Sequence, residues 1–488
     1  MEEKIKPTAF LVQCLSSLFI ALLTSVTGFV YAWPSYTLEN FVSNNTVLSS
    51  PMDTLEISLL GSLTNIGALV TTPFCGYIMD RIGRKHAAML FGLPSVISWS
   101  IISLTRNVPL ILVAVGLAGV GAAGQAVSSV YISEISQDSI RGFLTSITVS
   151  AYFLGLLFSY ILGGHLRYEH VIYVHLAVSM LYILLVSMLK ESPVSLMHRG
   201  KEKEAAQSVA FYRRVDVTAK EVEIELTKIR IQLDPKIIDK LQTDCGDNSA
   251  SEHLMELKLE NAPQLNRETG WKFLMKSDTS KRALVSVLTL MGVSILMGSV
   301  VLQVYAEPLF KRAVPSMNSN QCSIYLALDY SIASVLCGFM LDKVGRKVLM
   351  TWTSVGSGVM TLMLGAQLIR AWVPQWATAA LIYGFCFIYN LGASVVPFVY
   401  TAEVFLPEVR GLGNSMSTGC MWIMNFITLM VFNPIVKLIG LGPIFCGFST
   451  ICFLGAAYSH FCLPETKGLS ADEIQLLFQG KRKIRNNT

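Results

Sequence analysis

The sequence predicts an all-α membrane protein of twelve transmembrane helices in two related six-helix halves. Three observations predict it. Twelve apolar stretches reach bilayer length. Charged residues make up only 15% of the 488 residues against 52% apolar, and mean hydropathy is +0.52. A set of charged motifs at helix ends occurs twice, in the same order. Soluble domains run near one quarter charged. The composition therefore excludes a disordered chain, a nucleic-acid-binding domain and a disulfide-stapled secreted fold.

A helix needs about 20 apolar residues to cross the hydrocarbon core. In chain order the stretches are 9–31, 57–79, 87–105, 108–130, 143–164, 171–189, 283–306, 323–341, 348–369, 375–402, 411–433 and 438–459, referred to below as spans 1 to 12. Span 1 follows Lys6 and Pro7. Spans 2 and 3 are separated by the charged run Asp80–Lys85. Arg106 precedes span 4, Arg141 precedes span 5 and Arg167 precedes span 6. Span 7 opens after Arg282, and span 8 ends at Asp342. Span 9 lies between Lys347 and Arg370, span 10 runs up to Glu403, span 11 opens after Arg410, and Lys437 precedes span 12. Asp329 is the one charged residue inside these stretches. Barrel strands would be near ten residues with alternating polarity, a pattern not seen.

Basic residues set the orientation. With the N-terminus cytosolic, only Arg106, Arg167, Lys311, Arg312, Arg370 and Lys437 of the 38 Lys and Arg fall outside. The bias survives when the long 191–282 loop is set aside. An even span count places the C-terminus inside as well. Span 1 is too long for the core of a cleavable signal and reads as its own insertion signal. Most of the ten cysteines sit in spans without metal-ligand spacing, so they read as small hydrophobes. No metal or cofactor is expected. Asn44-Asn45-Thr46 is a glycosylation sequon at Asn44, on the side that the charge bias makes external.

The repeats divide the chain. Asp80-Arg81-Ile82-Gly83-Arg84-Lys85 after span 2 recurs as Asp342-Lys343-Val344-Gly345-Arg346-Lys347 after span 8, 262 residues on. Glu134 with Arg141-Gly142 recurs as Glu403 with Arg410-Gly411, 269 on, and Glu191-Ser192 as Glu465-Thr466, 274 on. Three features in order at a nearly constant offset mark a duplicated unit. The expected organisation is a half over 1–190, a cytosolic loop over 191–282, a second half over 283–463 and a cytosolic tail over 464–488. Amphipathic helices are expected at 201–214 and 217–232, with a polar stretch at 233–266. The tail carries the basic run 481–485, which reads as ordinary inside charge or as a contact for anionic lipid. Asp472 with Leu476-Leu477 reads as a tail helix or a sorting signal.

This motif set resembles the sugar porter branch of the major facilitator superfamily over roughly residues 10–475. Within it the chain is most similar to insect facilitated trehalose transporters. Gly28–Ala32, Leu309–Ala313 and Pro464–Gly468 carry that impression. The resemblance implies a membrane transporter and not an enzyme, with a sugar such as trehalose or a hexose as small-molecule partner and the plasma membrane as its home. It implies two halves rocking around a midplane site. It also implies a cytosolic latch built from Asp80, Arg81, Arg84, Glu134, Arg141 and Glu191 in one half and Asp342, Lys343, Arg346, Glu403, Arg410 and Glu465 in the other. In that latch Arg141 and Arg410 are expected to make the bidentate pairs.

For the solute, aromatic faces and convergent hydrogen-bonding groups are needed. Positions matching the family pattern are Trp422 and Asn425 on span 11, with Pro397, Phe398 and Asn390 on span 10. Span 7 departs: the family's glutamines and asparagine align with Ser294–Val300. Span 5 has Val149 for the usual glutamine, and span 8 has Tyr330 for the usual asparagine. Thr148, Ser150, Gln303 and Tyr305 are the polar groups left to compensate. Either the sugar is held differently or the solute is less polar. Asp329 lies 13 residues before Asp342, about 20 Å along the helix. It is a proton site, a partner for a cationic group, or a structural acid. Proton-coupled members carry an acid on span 1 where this chain has Val30, which favours facilitated diffusion. The alternatives are proton symport through Asp329, transport of a less polar solute, and a non-transporting sensor. A static sensor would have little use for a latch in both halves.

Overall fold

The computed structural model describes residues 6–233, 277–405, 407–469 and 471–478. It is all helical among these residues, with twelve helices long and apolar enough to span a bilayer: Pro7–Val42, Thr54–Ile82, Arg84–Leu104, Val108–Ile135, Asp138–His165, Tyr168–Ser187, Thr279–Leu296, Ser319–Leu341, Arg346–Ile369, Gln375–Val404, Val409–Ile439 and Leu441–Cys462. Each contains one of the twelve predicted stretches or most of it. Residues 234–276, which include all but the first residue of the polar stretch 233–266, and the basic run 481–485 lie outside the described residues.

Most differences lie at helix ends and at breaks. Span 1 has 36 helical residues, about 54 Å. It is therefore longer than the hydrocarbon core of about 30 Å. Span 7 is interrupted. Its first helix, Asp278–Leu296, stops at Gly298, and the chain resumes as Ser299–Val304 and then Ala306–Ala313. Gly298 has φ 91°, and a Cβ there would overlap the ring of Phe448 on span 12. A left-handed residue with no room for a side chain requires glycine. Span 10 breaks likewise, at Gly392–Val395, between Gln375–Leu391 and Val396–Val404.

Three short helices follow span 6: Pro193–His198, Glu202–Arg213 and Lys220–Leu233. The last two fall on the predicted amphipathic stretches. They pack on one another through Leu196, Ala205, Val209, Val222 and Leu226. Gln13 of span 1 donates to the Tyr212 carbonyl at 3.2 Å, which ties them to the first half. A tail helix, Ala471–Phe478, buries Ile474 against the second half. The halves meet along three pairs of helices: span 1 against the distal part of span 7, span 2 against span 11, and span 5 against span 8.

Candidate functional site

The duplicated motifs fold into two matching polar clusters. In the first half, Gly83 at φ 93° turns the chain sharply between spans 2 and 3. The next helix therefore begins with Arg84 and Lys85, two cations at the end where the helix dipole repels them. Carboxylates relieve that conflict. Glu191 accepts from the Arg84 and Lys85 backbone N–H groups at 2.7 and 3.1 Å. Arg84 Nε lies 2.9 Å from Glu134, and its Nη1 lies 3.3 Å from Asp80. Ser192 donates to Oε2 of Glu134, the oxygen nearest the Arg84 Nε.

The second half repeats the glutamate and hydroxyl contacts. Gly345 has φ 95°. Glu465 accepts from the Arg346 and Lys347 backbone at 2.8 and 3.1 Å. Arg346 donates through Nε and Nη2 to Glu403 at 3.0 and 2.7 Å, and Thr466 donates to the other Glu403 oxygen at 2.6 Å. The side chains of Arg84, Glu134 and Arg346 are only 12% exposed. These are partly desolvated, hydrogen-bonded pairs, a class whose disruption costs several times more than that of a surface pair.

Among the described residues, Arg141 and Arg410, expected to make the bidentate pairs, form no ion pair with the repeated glutamates in this arrangement. Arg141 sits in the first turn of span 5 and takes a local partner, Asp138, at 2.5 Å, together with the Ser133 carbonyl at 3.1 Å. Arg410 is exposed and has no ion pair among the described residues. Arg81 stacks over Tyr77 at 5.4 Å. Lys343 is exposed and contributes its carbonyl, which accepts from Lys467 at 2.7 Å. The Asp342 side chain lies outside the described residues. Ser192 and Thr466 were not anticipated, although each directly follows a repeated glutamate.

The polar links between the halves are confined to one side and the middle. At the end that carries Asn44, Lys311 pairs with Glu39 and Lys437 with Thr54. The Glu307 backbone N–H donates to Ser35 at 2.9 Å, and Asn320 donates to the Tyr160 carbonyl at 3.2 Å. Further in, Tyr152 donates to Gln303 at 2.9 Å, and Trp422 Nε1 reaches Thr72 at 3.1 Å. Beyond Thr72, among the described residues, no hydrogen bond or ion pair joins the two charged clusters. The molecule is closed at one end and unlinked at the other.

The middle is rich in aromatic hydroxyls already bonded within the protein. Tyr31 donates to Asn65 at 2.6 Å, and Tyr389 donates to the Ser294 carbonyl at 3.2 Å. Tyr305 stacks on Phe432 with centroids 5.7 Å apart. Tyr330 stacks on Phe153 at 5.5 Å. Asn425 is buried one helical turn from Trp422, and its Oδ1 has no partner; buried Thr148 Oγ1 has none either. A buried polar atom without a partner is costly.

The family model for sugar (and other) transporters matches residues 9–478. The chain belongs to the sugar transporter family. Curated relatives include the facilitated trehalose transporter Tret1 of Drosophila grimshawi, 25% identical over 96% of this chain and 48% of that protein. Tret1 of Aedes aegypti is 24% identical over 96% and 55%, and Tret1 of Polypedilum vanderplanki is 23% identical over 97% and 90%. This sugar transporter thus spans about half the length of the first two. Among solved structures, the inward-open xylose transporter XylE of E. coli superposes with a TM-score of 0.71 at 19% identity, covering 96% and 99% of the two chains. XylE bound to 6-bromo-6-deoxy-D-glucose gives 0.69 at 19%, again covering 96% and 99%. These likenesses show the fold. As a member of this family the protein is a multi-pass membrane transporter and not an enzyme.

The remaining site residues of this sugar transporter are dispersed. Asn390 is buried, and its amide donates to the Cys386 carbonyl on its own helix at 2.9 Å. Phe398 is 43% exposed just past the break in span 10. Val149 is half exposed. Ser294, which stands in the family's amide stretch, donates to the Ala393 carbonyl at 2.5 Å and is thus spent on packing the broken helices together. Asp329 has a buried Oδ2 without a hydrogen-bond partner. His175 is enclosed between Phe29 and Trp99 and bonded to Ser159 through Nε2, while its buried Nδ1 has no partner.

Proposed function

We propose that this transporter carries a small polyhydroxy solute, trehalose or a hexose, down its gradient by alternating access. The observation that carries the reading is the contrast between the two ends. Polar pairs join the halves on the Asn44 side, while two self-contained charged clusters sit at the ends of the same halves opposite. A rocking two-state carrier has that design. Asn425 Oδ1, one helical turn from the indole of Trp422, supplies an acceptor without a partner. Val30 on span 1, where proton-coupled relatives have an acid, supports uniport. The charge bias and the exposed sequon support a plasma-membrane protein with both termini cytosolic and Asn44 glycosylated.

The test is counterflow in proteoliposomes preloaded with trehalose, glucose or fructose at equal pH on both sides. Exchange of one of them supports the reading. Silence for all three with folded protein refutes a sugar substrate. A second reading, proton symport, rests on the unpartnered carboxyl of Asp329. It predicts uptake only under an inward pH gradient, abolished in Asp329→Asn.

A further inference from the structure

Spans 7 and 12 leave a groove of about 340 Å³ between their ends on the side of the charged clusters. Lys281, Arg282 and Val285 of span 7, Tyr458 and Cys462 of span 12, and Phe478 of the tail helix line it. The two basic residues stand at the first turn of a membrane helix, one turn before an exposed Val285. Arg282 Nη1 donates to the Phe478 carbonyl at 3.1 Å, which holds the tail helix across the groove. A guanidinium has five donors, so this bond leaves most of them for a ligand. Next to the groove the surface is apolar: Phe461, Leu476 and Leu477 are all more than half exposed.

Cations at the polar end of an apolar wall select the occupant. A soluble anion gains nothing from Val285 and Phe478. A zwitterionic lipid gains little from paired cations. An anionic phospholipid uses both, its phosphate beside Lys281 and Arg282 and its acyl chains along span 7. The sequence also continues from Phe478 into Lys481-Arg482-Lys483-Ile484-Arg485, which begins three residues beyond the groove. We propose that this groove binds an anionic phospholipid of the cytosolic leaflet. The assignment rests on the orientation proposed above, and the test below does not require transport.

Cys462 supplies the readout, because it is the one exposed cysteine among the described residues. Delipidated full-length protein carrying Cys245→Ser is labelled with a soluble maleimide in the presence of dioctanoyl phosphatidylserine, dioctanoyl phosphatidylcholine or inorganic phosphate. Phosphatidylserine is expected to slow labelling at least fivefold, with no change from the other two. Lys281→Gln with Arg282→Gln should abolish the protection, and the charge-conserving exchange Lys281→Arg with Arg282→Lys should keep it. Equal protection by phosphatidylcholine overturns the proposal, as does protection that persists in the glutamine pair or vanishes in the charge-conserving pair. Equal protection by phosphate would make this a soluble-anion site and overturn it too. If the glutamine pair does not fold, the three ligands on the parent protein and the conservative pair still decide.

Discussion

The charged clusters and the midplane of this transporter obey different constraints. Arg84, Glu134, Glu191 and Ser192 have counterparts one for one in Arg346, Glu403, Glu465 and Thr466, with the turns at Gly83 and Gly345 within 2° in φ. At the midplane, by contrast, the family's amides give way to Val149, Tyr330 and the Ser294–Val300 break. A cluster that seats a helix start must satisfy local electrostatics that hold whatever is carried. A pocket answers only to its solute. Machinery and cargo specificity therefore separate in the sequence, and mutations should separate them too.

The largest effect is expected at Arg346 and Arg84. Removing either leaves a partly buried glutamate unpaired, at a cost of about 3–5 kcal/mol for a fully buried pair and somewhat less here. Arg346→Ala is expected to lower the melting temperature by several degrees and counterflow by more than tenfold. Arg141→Ala, whose partners are local and exposed, should leave melting within about a degree. If Arg141→Ala still slows exchange, it gains a partner in the opposite state, which would restore the latch role expected from the motif. If Arg346→Ala melts and exchanges like the parent, the cluster is ornamental.

Next come Trp422 and Asn425. Each is expected to set affinity rather than turnover. A hydrogen bond and an aromatic face are worth about 1 kcal/mol apiece or somewhat more, so Asn425→Ala or Trp422→Ala should raise the half-saturation concentration about 5- to 30-fold with little change in maximal rate. Unchanged affinity in both would place the solute elsewhere. Melting temperature should hold in Asn425→Ala, because its Oδ1 gives up no bond.

How much of this was legible follows from range. The spans and their order could be read because charge exclusion over about 20 residues is a local signal. The duplicated clusters were legible as motifs, but each repeat offers two arginines. Choosing Arg84 over Arg141 depends on how far apart helix ends lie in space. A cation in a first helical turn demands a carboxylate, but Arg84, Arg141, Arg346 and Arg410 all stand in first turns, so this local rule does not choose among them. The break at Gly298 was hidden, because one glycine in an apolar run looks like any packing glycine. Its left-handed backbone is enforced by Phe448, 150 residues away. Asn425 was found from the family pattern, but that its Oδ1 is left without a partner depends on helices remote in sequence.

The smallest effect is expected at the closed end. Lys311 and Glu39 are each more than half exposed, and such pairs contribute about 0–1 kcal/mol, screened by salt. That is still enough to bias two states of a carrier by up to about fivefold, since the pair joins the halves at the end that must open to the outside. Glu39→Gln should therefore shift the balance toward the outward-open form by up to fivefold at low salt and by less at high salt, with melting unchanged. The check is accessibility of a cysteine placed at Ser35, where the Glu307 backbone docks, to a soluble thiol reagent. Accessibility that rises in Glu39→Gln, and more so at low salt, marks the pair as a gate. A rise independent of salt would assign the closure to the neutral contacts around Ser35 and Asn320, and no rise at all would assign it to those contacts together with Lys437 and Thr54.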